Sequence, residues 1–277
     1  MESNGERRTD KILLFIPAYN CAPQIVRVLR KLNDIPVGAF YEALVLDNQS
    51  RDETVQAALT VMSEVASMPV TIARNSRNYG LGGSHKSAFR YALDHGFTHV
   101  AVLHGDDQGS LVDLLPVLQS GLHLRADACL GSRFMGGAKT SGYSRLRILG
   151  NHCFNLLFSL ALRQRITDLG SGLNLIGRTI FSDPSVLRYS DDLCFNHYLL
   201  LNLVDKGRRF EFFPISWREE DQVSNARLVS MTLKMLANLR EYLFRRKRFR
   251  LDDHRSTPVA EYTFEVMGKN QLGLNES

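Results

Sequence analysis

Five short apolar runs, each closed by polar residues and separated by helical patterns, constrain this chain more than anything else in it. "KILLFIPAYN" (11–20), "YEALVLDNQS" (41–50), "VTIAR" (70–74), "THVAVLHGDDQ" (98–108) and "ADACLGSRF" (126–134) read as strands. Between them "APQIVRVLRKL" (22–32), "DETVQAALTVMSEVA" (52–66), "GSHKSAFRYALDHG" (83–96) and "LVDLLPVLQSGL" carry helical spacing. Strands alternating with helices of this length imply an α/β fold, with a mostly parallel sheet covered on both faces. Uninterrupted apolar runs suit strands buried on both sides. In such sheets ligands bind beyond the carboxyl ends of the strands. Asn20, Asp47, Arg74, Asp106 and Arg133 gather at those ends.

Past residue 137 the pattern changes. "RLRILGNHCFNLLFSLALRQR" (145–165) is a helix, apolar over much of its circumference. "TDLGSGLNLIGRTIF" is a turn and a strand, "DDLCFNHYLLLNLVDKG" a helix, and "RFEFFPISWRE" a strand. "SNARLVSMTLKMLANLREYLFRRKRF" reads as one long amphipathic helix, with a basic end at 236–250. From 251 to 277 periodicity is lost, and a polar tail is expected. No apolar stretch reaches the roughly 18–20 residues of a membrane span, and "MESNGERRTDK" has no apolar run behind it, so no leader is read. Cys21, Cys129, Cys153 and Cys194 show no metal-ligand or disulfide spacing. A cytoplasmic protein is expected, peripheral on the inner face of the membrane if its acceptor is there. The net charge of +5 is modest. "RRKRFR" (245–250) suits either phosphate groups or a solvated helix end. It is the sole hint of nucleic-acid binding, which is set aside.

Three polar stretches carry chemistry. "HGDDQ" is either a capped turn or a seat for a hard cation. If the strand stays extended, His104, Asp106 and Gln108 share a face and Asp107 points elsewhere. In "VLDNQSRDET", Asp47 would accept hydrogen bonds from a base or ribose, and Asp52 suits a helix cap. In "RNSRNYGLGGSHKSAF" the glycines at 80, 82 and 83 before a helix resemble a phosphate cradle. Neither the dinucleotide fingerprint nor the Walker loop is present, which argues against a dinucleotide oxidoreductase.

The ordered set "IPAYN", "VLDNQSRDET", "RNYGLGG", "HGDDQ", "LGSRF" and "DLGSGLNLIGR" resembles the family-2 glycosyltransferases of GT-A fold. It looks most like the polyprenyl (dolichyl) phosphate sugar transferases and their bacterial relatives, over roughly residues 9–235. The resemblance implies that Pro17, Ala18, Tyr19, Asn20, Asp47 and Asn48 hold the nucleotide base and ribose. Arg74, Asn78, Gly80 and Gly82 would line the same pocket. The family's D-x-D-x-Q corresponds to His104-Gly105-Asp106-Asp107-Gln108. Asp106 and Gln108 match, while His104 replaces the first Asp. These residues would bind Mg²⁺ or Mn²⁺ with the donor diphosphate. Ser132 and Arg133 match the G-S-R motif, and Asp168, Ser171 and Gly172 match D-x-x-S-G. Arg147 falls where phosphate-binding arginine is found. The C-terminal R-x-x-G-x-S-K is echoed in part by Arg218 and Ser224, with Asn225 at the Lys position and Arg227 near it.

The implied reaction moves a sugar from a UDP- or GDP-linked donor to a polyprenyl-phosphate or lipid-linked acceptor, with inversion. A phosphate acceptor held by Arg133, Arg147 and Arg218 needs no strong base. A soluble transferase acting on a glycan or other hydroxyl acceptor would need one, from Asp168, Asp191 or Glu219. A non-catalytic nucleotide-sugar-binding partner protein is the rival that the His104 replacement raises.

Overall fold

The computed structural model describes residues 10–219 and 228–270. In chain order its strands are β1 (Ile12–Ala18), β2 (Glu42–Asp47), β3 (Val70–Asn75), β4 (His99–Leu103), β5 (Ala128–Ser132), β6 (Lys139–Ser141), β7 (Leu173–Gly177), β8 (Phe210–Pro214), β9 (Ser216–Arg218) and β10 (Phe264–Asn270). The helices are α1 (Ala22–Lys31), α2 (Thr54–Val61), α3 (Gly80–Asp94), α4 (Leu115–Gln119), α5 (Arg145–Leu162), α6 (Arg178–Phe181), α7 (Phe195–Asp205), α8 (Leu228–Phe244) and α9 (Arg246–Leu251). Eight strands form one sheet in the order β10-β3-β2-β1-β4-β7-β5-β8, and β6 and β9 form a separate ribbon. The first four strands are parallel; β7 runs antiparallel between β4 and β5.

Period-two alternation sends successive residues of β1 to opposite faces, and all are buried. Leu13 and Phe15 join a core with α3, α5, α7 and α8. Leu14 and Ile16 join the other core, with α1 and α2. The sheet is therefore covered on both sides, as the sequence predicts.

Three expectations change. The helix expected at "LVDLLPVLQSGL" is broken into a 3₁₀ turn at Leu111–Leu114 and the short α4, with Pro116 in the first turn of α4, where a missing N–H is tolerated. The long C-terminal helix breaks at Arg245, whose φ of −136° is not helical. Its basic end is not a uniformly solvated face. Arg246 and Arg250 clamp the buried carboxylate of Asp205, and Phe249 is buried, stacking on Tyr198 at 5.9 Å. The polar tail expected from 251 contains β10, which pairs antiparallel with β3 from Phe264↔Asn75 to Asn270↔Val70. A bulge between Val266 and Gly268 breaks its alternation. Upstream of it, Tyr262 donates to Asp191 (2.7 Å), and the buried Lys86 ammonium reaches the same carboxylate (2.6 Å).

Candidate functional site

The ends of β1 and β4 are pulled together by Gly105. Its N–H donates to the Pro17 carbonyl at 3.0 Å, and a Cβ there would sit 3.1 Å from that oxygen. Beyond Ala18, half-buried Tyr19 leads to Asn20, which adopts φ +50°, a conformation asparagine tolerates. Asn20 Oδ1 accepts from Arg51 N at 2.8 Å, and its own N–H donates to Ser50 Oγ. Asp47 is buried at the end of β2. It accepts from Ser50 N at 3.1 Å and pairs with Arg74 Nε at 3.2 Å. The asparagines are occupied with one another. Asn48 Oδ1 takes protons from Asn75 Nδ2 and Tyr79 N, and Asn78 Oδ1 from Asn48 Nδ2 and Gly80 N. Pro17, Asn20, Asp47, Asn48, Arg74 and Asn78 thus lie together at the ends of β1, β2 and β3, with Asn48 and Asn78 bonded to each other.

The glycine turn differs from a phosphate cradle. The N–H groups of Gly82 and Gly83 donate to the Asp191 carbonyl, at 2.8 and 3.4 Å. A Cβ at Gly80 or Gly82 would come within 2.3 Å of the backbone oxygens of Asp191 or Ser190. These glycines admit the 190–192 segment against the start of α3, which is a packing reason rather than an anion-binding one.

In "HGDDQ" the extended conformation stops before the motif does. Asp107 takes φ +60°, so the alternation expected to reach Gln108 is lost. His104 and Asp106 remain neighbours, Nδ1 to Oδ2 4.0 Å. Asp107 turns inward and is almost fully buried. Arg27 Nε (2.8 Å), Lys31 Nζ (2.7 Å) and the Arg218 guanidinium converge on it. Burial would raise the Asp107 carboxyl, but these three cations hold it below the usual range. Sequence reading passed over Asp107, Arg27 and Lys31. The i, i+4 spacing of the two cations on α1 was visible, but their target was not. Gln108 lines a cleft on the Asp107 side. Arg218 is committed to Asp107, with a second bond from its Nε to the Asp107 carbonyl at 3.0 Å.

Across from Asp106, Arg133 and Asp168 form a buried fork. Nε and Nη2 of Arg133 each lie 2.8 Å from an Asp168 oxygen, and the Arg133 N–H adds a third bond at 3.0 Å. Burial would lower the Arg133 guanidinium, but Asp168 more than offsets it, so its pKa is raised. Tyr143, missed in the sequence, joins two arginines: its hydroxyl accepts from Arg133 Nη1 at 3.1 Å, and Arg147 lies over its ring at 4.2 Å. Arg147 also pairs with Glu219 at 2.6 Å. The Ser171–Gly172 turn brings this wall to His104, since a Cβ at Gly172 would sit 2.9 Å from His104 Cγ. Ser224, Asn225 and Arg227 lie outside the described residues.

The donor set fits a divalent cation only in part. Among the described residues no cluster of three or more His, Cys, Asp or Glu is arranged to hold one. The Asp106 carboxylate and the His104 imidazole lie side by side. Burial holds His104 below its ordinary pKa, so the ring is neutral, and its Nε2 is buried without a partner. Two protein donors suit a hard cation that takes its remaining oxygens from a diphosphate.

The family model described as glycosyl transferase family 2 matches residues 14–183. Undecaprenyl-phosphate mannosyltransferase of Micrococcus luteus is 28% identical over 163 residues, 58% of this chain and 64% of that protein. Dolichol-phosphate mannosyltransferase of Pyrococcus furiosus is 26% identical over 139 residues, 50% of this chain and 38% of that protein. The matched region thus spans less than two thirds of each relative. Among solved structures, glucosyl-3-phosphoglycerate synthase of Mycobacterium tuberculosis, in complex with Mn²⁺, UDP-glucose and phosphoglyceric acid, superposes with a TM-score of 0.58 at 15% identity, over 84% of this chain and 79% of that one. Mannosyl-3-phosphoglycerate synthase of Rubrobacter xylanophilus gives 0.57 at 15%, over 86% and 74%. These two likenesses are of fold, which is the GT-A fold expected. The family match covers more than half of the sequence, and the chain belongs to glycosyl transferase family 2.

Proposed function

We propose that the protein transfers a hexosyl group from a UDP- or GDP-linked sugar to a phosphate-bearing acceptor at a membrane surface, with inversion. Pro17, Asn20, Asp47 and Arg74 would seat the nucleoside. Asp106 and His104 would hold Mg²⁺ or Mn²⁺ entering with the diphosphate. The cation would supply charge stabilisation for the departing phosphate. The M. luteus and P. furiosus relatives, named for polyprenyl-phosphate acceptors, and the fold neighbour containing Mn²⁺ and UDP-glucose support this reading.

The observation that carries it is the charge pattern of residues 128–167. No Asp or Glu occurs from 128 to 167, while Arg133, Lys139, Arg145, Arg147, Arg163 and Arg165 do. On α5, Leu146, Leu149, Leu156 and Leu160 are 59–80% exposed. At about 100° per residue they share an arc about 80° wide. An apolar stripe set among cations suits an anionic lipid surface. No described helix is long and apolar enough to cross a membrane. A phosphate acceptor also suits the carboxylates present. Asp168 is forked by Arg133, Asp191 is bound by Lys86 and Tyr262, and Glu219 by Arg147. None of the three is left to act as a base on a hydroxyl.

Two measurements test the proposal. Purified protein with UDP-glucose or GDP-mannose, Mn²⁺ and a short polyprenyl phosphate should form a lipid-linked sugar. Asp106→Ala should reduce the rate at least 100-fold, on the scale of lost charge stabilisation. Full activity in Asp106→Ala refutes the seat; donor binding without turnover supports the non-catalytic rival. Separately, the protein should float with vesicles containing anionic lipid, and the pair Leu149→Glu and Leu160→Glu should cut the bound fraction several-fold. Equal flotation of parent and variant would remove α5 from the membrane contact.

A further inference from the structure

A cleft of about 440 Å³ lies between the C-terminal half of α1 and the β6–β9 ribbon, within the size range of small-molecule sites. Its walls do not include Asp47, Arg74, His104 or Asp106. The floor is apolar, built from Val28, Leu32, Ile35, Leu103, Leu111 and Trp217. The rim carries Lys31, Lys139 and Arg218, and Arg27 reaches Asp107 from behind. Among the lining residues three cations face two carboxylates, Asp34 and the buried Asp107. The surplus is positive, and it surrounds a surface that water wets poorly.

Trp217 adds a second observation. It is 94% buried by its 6% exposure, and its indole N–H has no partner. A buried donor left unsatisfied is unfavourable. The benzo edge of the ring faces Gly109 and Gly172: a Cβ at Gly109 would lie 3.4 Å from Cζ3, and one at Gly172 2.8 Å from Cη2. The N–H edge is enclosed, so a ligand in the cleft meets the indole ring itself. Arg133 lies over the same ring at 5.4 Å. One side chain thus belongs both to the cleft and to the wall of the transfer site.

We infer that this cleft is a second ligand site, separate from the donor pocket, for an organic anion with an apolar body, a phosphate monoester or carboxylate on a hydrocarbon chain. The acid group meets Lys31 and Lys139, and the hydrocarbon lies on the Val28–Trp217 floor. The inference stands whether or not the transfer reading does, because binding here requires neither donor nor acceptor.

Trp217 is the sole tryptophan of the chain, so its fluorescence reports the cleft and the adjoining wall of the transfer site, and competition with UDP and Mn²⁺ tells the two apart. Octyl phosphate, kept below its micelle concentration, is titrated into the whole protein. A saturable change in emission is expected, unaffected by saturating UDP and Mn²⁺. Octanol and inorganic phosphate, each supplying half of the chemistry, should bind at least tenfold more weakly. Lys139→Glu, an exposed rim substitution, should weaken octyl phosphate at least tenfold while leaving calorimetric UDP binding unchanged. A response to phosphatidylglycerol vesicles but not to free octyl phosphate, again lost in Lys139→Glu, assigns the anion to a lipid headgroup. No saturable response to either, a response indifferent to Lys139→Glu, or displacement by UDP overturns the inference.

Discussion

Asp168→Ala is expected to lower stability by about 3–5 kcal/mol, the usual cost of leaving a buried charge without its partner. The Arg133 side chain is only 15% exposed and that of Asp168 1%. Removing the carboxylate strands the guanidinium and the Arg133 N–H together. The fork links β5 to the turn that precedes β7, so its loss loosens the wall facing Asp106. Urea unfolding of Asp168→Ala, Arg133→Met and the double variant measures this directly. The double variant should be more stable than the sum of the single losses predicts, because neither charge is then orphaned. Asp168→Ala with parental stability but no transfer would instead make Asp168 the base, and the clamp reading would be wrong.

Acid unfolding is expected to begin below pH 6.5, well before ordinary carboxylates protonate. Burial pushes His85 down to about 3 and His197 down to about 4. Burial moves His104 in the same direction. In the unfolded chain each takes up its proton near pH ~6.5. Between that pH and the folded values the unfolded state binds more protons, so stability falls as pH falls. The slope is about 1.4 kcal/mol per pH unit for each histidine. His85 sits among Phe15, Phe89 and Phe195, with ring centroids 4.7–6.0 Å away. His85→Phe should therefore be accommodated and should flatten the slope by one histidine's share. A stability profile level from pH 7 to 4.5 would contradict the assignment.

The alternating strands and helices were legible because apolar runs and helical spacing are local signals. So was the gathering of polar residues at the ends of β1, β2 and β4, which topology places on one side. What the sequence hid depends on contacts between distant segments. Asp107 looked like the spare member of a pair, and only the fold brings Arg27, Lys31 and Arg218 to it. The glycines of 80–83 have the spacing of an anion cradle, yet the 190–192 backbone fills the space. Arg133 and Asp168 each looked like a free functional group, and together they form a structural clamp. β10 is as long as β1, but its bulge between Val266 and Gly268 breaks the alternation that would have announced it.

That strand also has a consequence for how the molecule is assembled. Val70 N–H donates to Asn270 Oδ1 across 200 positions of chain. β1 to β4 can pair as soon as they leave the ribosome, but the outer edge of β3 must wait for almost everything that follows. Until then β3 offers an open row of peptide groups, the kind of edge on which chains associate with one another. β1 to β4 are thus made early and sealed late. A nascent chain stalled before Phe264 would have its central strands in place and an adhesive flank beside Arg74.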